Sequence, residues 1–472
     1  MVYQLTVGLE IHAELRTKTK IFCRCENRFG DAENRNVCPV CMGMPGALPV
    51  FNRAVSDAAV RLGTVLGCRI ARRSTFDRKN YFYPDNPAGY QITQYENPIC
   101  RGGSVPIFDG AVRIPLIRIH MEEDAAKLRH EGAVTYADGN RAGVPLLEIV
   151  SEPAMHSAEE AEAYVNALRE ILTALGISDC KMQNGSLRVD VNVSAAPEGE
   201  IGEAVEIKNI NSVRFMKRAI SAEFERQCAL LRAGERIVRQ TRRFSEKTGL
   251  TEPMRGKETA PDYRYFPEPD LPPLVYTEDE IRALGIDLPI MPSERRKTLR
   301  VLGLTEKIAE ELARFEPIYT LLTDAAALGA DPISAANLLR GVLFPQFPPD
   351  PRDDTVAALL RQGSAKALAE VCRMLTEGEV SAGSAAKLLS GFFETGEDPG
   401  TVAERLCMRL VREEETLLSW CRTVLAEDPA LALSYRKEER GAADRLIGAV
   451  IRYSGGRAAP AVLRSLVKEG KI

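Results

Sequence analysis

The run Val7-Gly8-Leu9-Glu10-Ile11-His12-Ala13-Glu14-Leu15 alternates without a break between apolar residues and Gly8, Glu10, His12 and Glu14. Side chains of a strand point to opposite faces in turn, so Glu10 and His12 share one face while Leu9, Ile11, Ala13 and Leu15 enter a core. The pattern recurs in Ser186-Leu187-Arg188-Val189-Asp190-Val191-Asn192-Val193-Ser194 and in Ala204-Val205-Glu206-Ile207-Lys208. Two more acid-bearing strand candidates are Ile117-Arg118-Ile119-His120-Met121-Glu122-Glu123-Asp124 and Val144-Pro145-Leu146-Leu147-Glu148-Ile149-Val150-Ser151-Glu152. An antiparallel sheet with one wet face produces such alternation without further purpose. Here the wet face carries Glu, His, Asp, Asn, Arg and Lys with little Thr or Ser, the residue types of a metal or acid–base site.

Helix signals lie between these strands. Asn52 can cap a run with Val55, Ala58, Ala59, Leu62 and Val65 on one face, ending at Gly67. Ser157 with Glu160 reads as a capping box before Ala161, Tyr164, Val165, Leu168, Ile171, Leu172 and Leu175, with Gly176 as the stop. A third helix is expected from about Asn211 to Gly234. Strands interspersed with helices in no regular repeat predict an α+β domain on an antiparallel sheet. Beyond Pro292 the strand signal gives way to Ala/Leu-rich helical patterns, so the rest of the chain is expected to be all-helical. The irregular segment 252–273 is too aromatic for a passive linker and is expected to fold over the sheet. A second punctuation, Phe344-Pro345-Gln346-Phe347-Pro348-Pro349-Asp350-Pro351, divides the helical part. The expected domains are 1–290, 291–345 and 354–472.

A chain of 472 residues is too long for one core. Its longest apolar runs are short and interrupted, and it opens with no charged-then-apolar signal, which predicts a cytoplasmic protein without a membrane segment. The formal net charge of −4 excludes gripping nucleic acid by bulk charge, though not local recognition. Past Leu431 the balance reverses, with Arg436, Lys437, Arg440, Arg445, Arg452, Arg457, Arg464, Lys468 and Lys471 against only four acids. This tail fits an RNA contact or a solvated helix face. Of eleven cysteines, seven are scattered singly, as small buried residues in a reducing compartment are. The other four form Cys23-Arg24-Cys25 and Cys38-Pro39-Val40-Cys41. Two such pairs supply a closed tetrahedral site for structural zinc, with a redox pair as the second reading.

Glu10, His12, Glu123 and Glu148 are candidates to converge on a divalent cation, with Asp190 and Glu206 on neighbouring strands. Carboxylate-rich ligation suits Mg²⁺ or Mn²⁺, and a histidine ligand tilts the choice toward Mn²⁺ or Zn²⁺. Phe76-Asp77-Arg78-Lys79-Asn80-Tyr81-Phe82-Tyr83 mixes cations with aromatics. Arg78 and Lys79 can neutralise a polyphosphate and Tyr81 or Tyr83 can stack on a base, or the stretch is an aromatic corner with exposed cations. The sequence has no phosphate-binding Gly-x-x-x-x-Gly-Lys-Ser/Thr loop and no amidase or glutaminase nucleophile motif. A chain of this kind does not make its own ammonia.

The chain resembles the B subunits of bacterial aspartyl/glutamyl-tRNA(Asn/Gln) amidotransferases. The resemblance rests on Gly8-Leu9-Glu10-Ile11-His12, Phe76-Asp77-Arg78-Lys79-Asn80-Tyr81, His120-Met121-Glu122-Glu123-Asp124, Leu147-Glu148-Ile149-Val150-Ser151-Glu152-Pro153, Ser186-Leu187-Arg188-Val189-Asp190 and Asp262-Tyr263-Arg264-Tyr265-Phe266-Pro267-Glu268-Pro269-Asp270. It implies a cradle domain over 1–290, a helical domain over 291–345 and a tail domain over 354–472 that touches tRNA. It also implies ATP-dependent phosphorylation of the side-chain carboxylate of Glu-tRNA(Gln) or Asp-tRNA(Asn), followed by amidation. The resemblance further implies two protein partners, an amidase (glutaminase) that supplies ammonia and a third, small protein that clasps the two. The implied catalytic residues are Glu10, His12, Glu123, Glu148 and Lys79. Mg²⁺ is expected on Glu10, His12, Glu123 and Glu148, and zinc on Cys23, Cys25, Cys38 and Cys41. ATP and substrate are expected at Arg78, Tyr81, Ser151, Arg188, Asp190, Glu206 and Lys208. The four-cysteine site resembles only a subset of the family, and the tail follows the family pattern more loosely than the cradle motifs. The competing reading is a zinc-stabilised tRNA-binding adaptor without turnover of its own.

Overall fold

The computed structural model describes residues 2–254, 262–349 and 351–472. Chain contacts divide it into two units, Met1–Met291 and Pro292–Ile472. Part of the irregular segment (255–261) and Asp350 of the second punctuation lie outside the described residues.

In the first unit the elements that position the site are β1 (Tyr3–Glu14), α1 (Arg53–Val65), β2 (Asp77–Asn80), β3 (Tyr90–Thr93), β4 (Val112–Glu123), β5 (Pro145–Ser151), α2 (Ala158–Ala174), β6 (Leu187–Pro197), β7 (Val205–Ile210), α3 (Val213–Arg232), β8 (Thr241–Phe244) and β9 (Thr251–Pro253). They build an α+β domain on a ten-stranded sheet, in the order β9-β8-β7-β6-β1-β5-β4 and then Cys100–Arg101 and Arg69–Ile70, with the tenth strand, Ser104–Ile107, pairing with β4 off this path. Every pair in it is antiparallel except β7 with β8. All five acid-bearing runs form neighbouring strands of this sheet. Leu9, Ile11, Val189, Val191, Ile119, Met121, Leu147 and Ile149 face one core, against apolar stripes of α1, α2 and α3 such as Leu62, Leu168 and Ile220. Burying one face in this way fixes the register, because a one-residue slip would turn every carboxylate inward.

The helix ends follow their capping residues. Asn52 accepts from the Ala54 N–H, and Ser157 accepts from the Glu160 N–H at 3.0 Å. The Glu160 carboxylate accepts from the His156 N–H at 2.6 Å rather than from Ser157, so the expected capping box is half formed. The third helix starts one residue after Ser212, which accepts from the Phe215 N–H.

The second unit is helical, and among the described residues its strand pairing is limited to the bridges Val380–Arg409 and Val411–Ala458. Its helices bury two separate clusters, one drawn from residues 299–403 and one from 417–466. The punctuation at 344–351 does not separate them. Phe344 and Phe347 pack edge-on to Phe315, with centroids 6.5 and 5.2 Å away, and Val356, Leu368 and Leu389 share a core with Leu312 and Leu322. The expected break at 345–354 is thus bridged by core packing, and the gap between cores falls at 404–416. In the tail, Arg445 pairs with Glu439, Lys471 with Glu414 and Glu469, and Arg457 lies over Trp420. Arg436, Lys437, Arg440, Arg452, Arg464 and Lys468 are exposed, with no carboxylate partner among the described residues. No helix among the described residues is long and apolar enough to cross a membrane.

Candidate active site

The polar face of the sheet gathers its charged residues by register. Cross-strand pairing aligns Arg188, His12, Glu148 and His120 in one row, and places Asp190 beside Glu10 in the next. Lys79 comes from β2, and Tyr263 and Tyr265 from the segment beyond 261. Except for Arg188, these groups line a cavity of about 280 Å³ together with Glu122, Glu206, Lys208 and Arg118.

His12, Glu122 and Glu148 each present a ligand atom within 4.8 Å of the others, a set that can hold a metal ion. The Glu148 carboxylate lies between two imidazoles, with its Oε2 3.4 Å from His12 Nε2 and 3.2 Å from His120 Nε2. Burial opposes its ionisation, but the His120 charge and hydrogen bonds from both rings overcome that and hold its carboxyl well below the usual range. His120 is itself buried, which disfavours its cationic form, yet the Glu148 and Glu122 carboxylates push it up to about 9. Lys79 Nζ is 3.7 Å from Glu122 Oε1 and 4.9 Å from the centre of the Tyr263 ring. Its burial disfavours the ammonium, and Glu122 raises its pKa in spite of that. Burial and the neighbouring Glu148 raise the pKa of Glu10, which accepts from Asn192 Nδ2 at 3.0 Å. Lys208 bridges Asp190 at 3.1 Å and Glu206 at 2.9 Å. Arg188 lies beside the cavity, donating to Asp124 and 3.8 Å from Glu14.

Four expectations for individual residues are corrected. Glu123 does not join His12 and Glu148. With Ile119 and Met121 in the core, Glu122 follows His120 onto the polar face and Glu123 turns the other way. Glu123 accepts from the Ile92 N–H at 2.9 Å in a second cavity of about 310 Å³, where burial pushes its carboxyl up to about 8. Arg78 alternates away from Lys79. Its guanidinium makes a two-pronged pair with Glu268 at 2.6 and 2.9 Å, reaches Asp270 at 2.9 Å and covers the Tyr90 ring. Tyr81 lines the second cavity and meets Tyr263 edge-on at 6.3 Å. Ser151 has the parity of Leu147 and Ile149, and its buried Oγ accepts from the Leu9 N–H at 2.9 Å next to a register shift in the strand.

Sequence reasoning missed Glu122 and His120 as site residues, together with Tyr263 and Tyr265. Strand parity counted from Ile119 and Met121 identifies the first two. The tyrosines are brought in by a local device. Asn80 donates from its backbone to Tyr263 O at 2.9 Å and from its side chain to Arg264 O at 2.8 Å, while Phe266–Pro267 pairs with β2. Tyr265 then stacks on Tyr95, with ring centres 4.3 Å apart. The aromatic segment does fold over the sheet.

The four clustered cysteines also come together, with all four sulfur atoms within 4.8 Å of one another. A hydrogen bond involving Cys23, assisted by the Cys38 N–H, brings the Cys41 thiol down to about 5. Four sulfurs so spaced, one of them readily ionised, can hold a structural zinc ion.

Residues 5–282 match the family described as the GatB/GatE catalytic domain, and residues 354–470 match the family described as the GatB domain. The chain is 41% identical over 475 residues to the B subunit of the aspartyl/glutamyl-tRNA(Asn/Gln) amidotransferase of Thermoanaerobacter pseudethanolicus, covering 99% of each. It is 44% identical to the protein of the same name from Anaeromyxobacter sp. strain K, covering 99% of this chain and 98% of that one. The protein of the same name from Persephonella marina is 39% identical, with 99% of each covered. With both family models matched and its full length aligned in this way, the chain belongs to the family of aspartyl/glutamyl-tRNA(Asn/Gln) amidotransferase B subunits.

Proposed function

We propose that this chain is the ATP-dependent component of a tRNA-dependent amidotransferase, a carbon–nitrogen ligase with glutamine as amido donor. It transfers the γ-phosphoryl group of ATP to the side-chain carboxylate of Glu-tRNA(Gln) or Asp-tRNA(Asn). Ammonia from a partner amidase (glutaminase) then displaces phosphate to give Gln-tRNA(Gln) or Asn-tRNA(Asn), and a third, small protein holds the complex together. The observation that carries this reading is the convergence of His12, Glu122 and Glu148 with Lys79 in one cavity.

One imidazole and two carboxylates fit Mg²⁺ or Mn²⁺. When bound, that ion supplies neutralisation of phosphate charge. The chain's own residues do the positioning. His120 bridges Glu122 and Glu148, so both carboxylates are aimed before substrate arrives. Lys79, held cationic by Glu122, is placed to meet phosphate oxygens. Tyr263 and Tyr265 cover the cavity and limit water, which protects an acyl phosphate from hydrolysis. Glu10, Asp190, Glu206 and Lys208 line the adjoining wall and set the shape of the substrate side. The exposed cations of the tail are the proposed tRNA contact, and zinc on Cys23, Cys25, Cys38 and Cys41 is proposed to be structural.

Replacing Glu148 by Ala in the reconstituted complex is expected to abolish ATP hydrolysis that depends on misacylated tRNA while glutamine hydrolysis by the partner stays measurable. Normal conversion of Glu-tRNA(Gln) by that variant would contradict the assignment. A wild-type complex that binds misacylated tRNA without hydrolysing ATP would instead favour the adaptor reading. Stoichiometric zinc in freshly purified reduced protein is the expected result for the four-cysteine site, and its absence would count against a zinc role.

A further inference from the structure

We propose that Lys20 is a positioning residue that ties the four-cysteine metal site to the loop bracing the polar cavity, an inference that rests on the zinc reading above. Lys20 is fully buried. Its Nζ donates to Cys41 Sγ at 3.5 Å and to Gly139 O at 3.0 Å, and among the described residues no carboxylate pairs with it. A buried ammonium needs a counter-charge, which the Gly139 carbonyl alone does not provide and a cysteine thiolate at Cys41 does. Four thiolates around a divalent cation carry an excess of negative charge, and Lys20 is placed to offset part of it. The cation and the metal-bound cluster thus satisfy each other.

The second contact carries this outward. Gly139 packs so closely on the cysteine loop that a Cβ there would lie 2.7 Å from Met42 Sδ, and its N–H donates to Asn34 Oδ1 at 2.7 Å. Asn140 is tied to the same loop, accepting from the Asn36 N–H at 2.8 Å and donating to Ala32 O at 2.7 Å. The next residue, Arg141, pairs with Asp124 and stands 3.8 Å from Glu14. Asp124 also takes Arg188, whose strand neighbour is His12, and Glu14 lies two residues beyond His12 on β1. Cys41, Lys20, Gly139 and Arg141 therefore form one line of contact from the metal site to the edge of the cavity. Through it the cluster holds Arg141 in place, which makes Lys20 a support for the ligands and for the site at once.

The test uses the full chain with zinc as the probe. In Lys20→Met, competition with a chromophoric chelator should show zinc bound about 10–100-fold more weakly, with partial recovery in Lys20→Arg. The cobalt(II)-loaded protein should show a shifted thiolate charge-transfer band in Lys20→Met, because the N–H donor to sulfur is gone. Amide exchange over 137–143 should rise in that variant, and equally in wild type stripped of zinc. Wild-type zinc affinity, an unmoved cobalt band and unchanged exchange in Lys20→Met would overturn the proposal. If Lys20→Met does not fold, the wild-type comparison decides, since exchange over 137–143 that ignores zinc removal is equally fatal. A wild-type protein that binds no zinc at all overturns the zinc reading instead, an outcome distinct from a zinc-loaded wild type matched by Lys20→Met.

Discussion

Glu122 and Glu123 are neighbours of the same chemistry that end in different cavities, and Arg78 and Lys79 divide in the same manner. Lys79 enters the site, while Arg78 fastens the aromatic cover through Glu268 and Asp270. Because the Glu268 side chain is fully buried, Arg78→Ala leaves an unpaired carboxylate, at a cost of about 3–5 kcal/mol. The variant is expected to be cleaved more readily over 262–270 and to lose ATP-dependent turnover, and Arg78→Lys should recover it only poorly, since an ammonium cannot make the two-pronged contact. Protease sensitivity and turnover equal to wild type would refute the role. Most of the site was legible at this scale, because Glu10, His12, Glu148, Asp190, Glu206, Lys208 and Lys79 all carry the parity that puts them in one cavity. The misplacement of Glu123 comes from choosing the wrong member of an acidic triplet whose phase Ile119 and Met121 already set. Tyr263 and Tyr265 are not assignable to the site from the sequence, since what brings them in is a pair of hydrogen bonds from the Asn80 backbone and side chain to the carbonyls of Tyr263 and Arg264 across a long sequence separation.

Among the elements, strands and helices with strong periodicity matched expectation, whereas the parallel pairing of β7 with β8 has no local signature. The buried charge on α3 also escaped the pattern, because amphipathic spacing does not reveal which polar partners meet an inward-facing acid. Glu223 is fully buried and accepts from Arg226 at 2.6 and 2.9 Å, from Gln227 at 2.9 Å and from Thr251 at 2.7 Å. Burial opposes its ionisation, yet these donors, Arg226 foremost, hold its pKa below the usual carboxylate value. A depressed carboxyl contributes stability that is present above the unfolded-state pKa, about 4.3, and lost as pH falls through the folded one. Glu223→Ala should therefore cost about 3–5 kcal/mol at neutral pH. Glu223→Gln should flatten the acid limb of thermal stability below about pH 4. An acid limb with the same slope in Glu223→Gln would contradict this.

For the whole molecule, core packing in the helical half crosses the proline-rich punctuation. Prolines around 344–351 end helices, yet Phe344 and Phe347 keep the chain packed, so the core continues to residue 403. Truncation after Phe344 is expected to expose that core and give an aggregating protein. Truncation near residue 410 should retain cooperative unfolding and partner glutamine hydrolysis while weakening tRNA binding, as read by calorimetry and filter binding. Unchanged tRNA affinity would show that the exposed cations of the tail are not the contact. The proposed metal-dependent phosphoryl-transfer site of His12, Glu122 and Glu148 can be probed by titrating Mn²⁺ into Glu122→Gln and Glu123→Gln complexes and following the bound ion by electron paramagnetic resonance. The structure predicts loss of the bound-ion signal in Glu122→Gln and its retention in Glu123→Gln; the reverse result would contradict it.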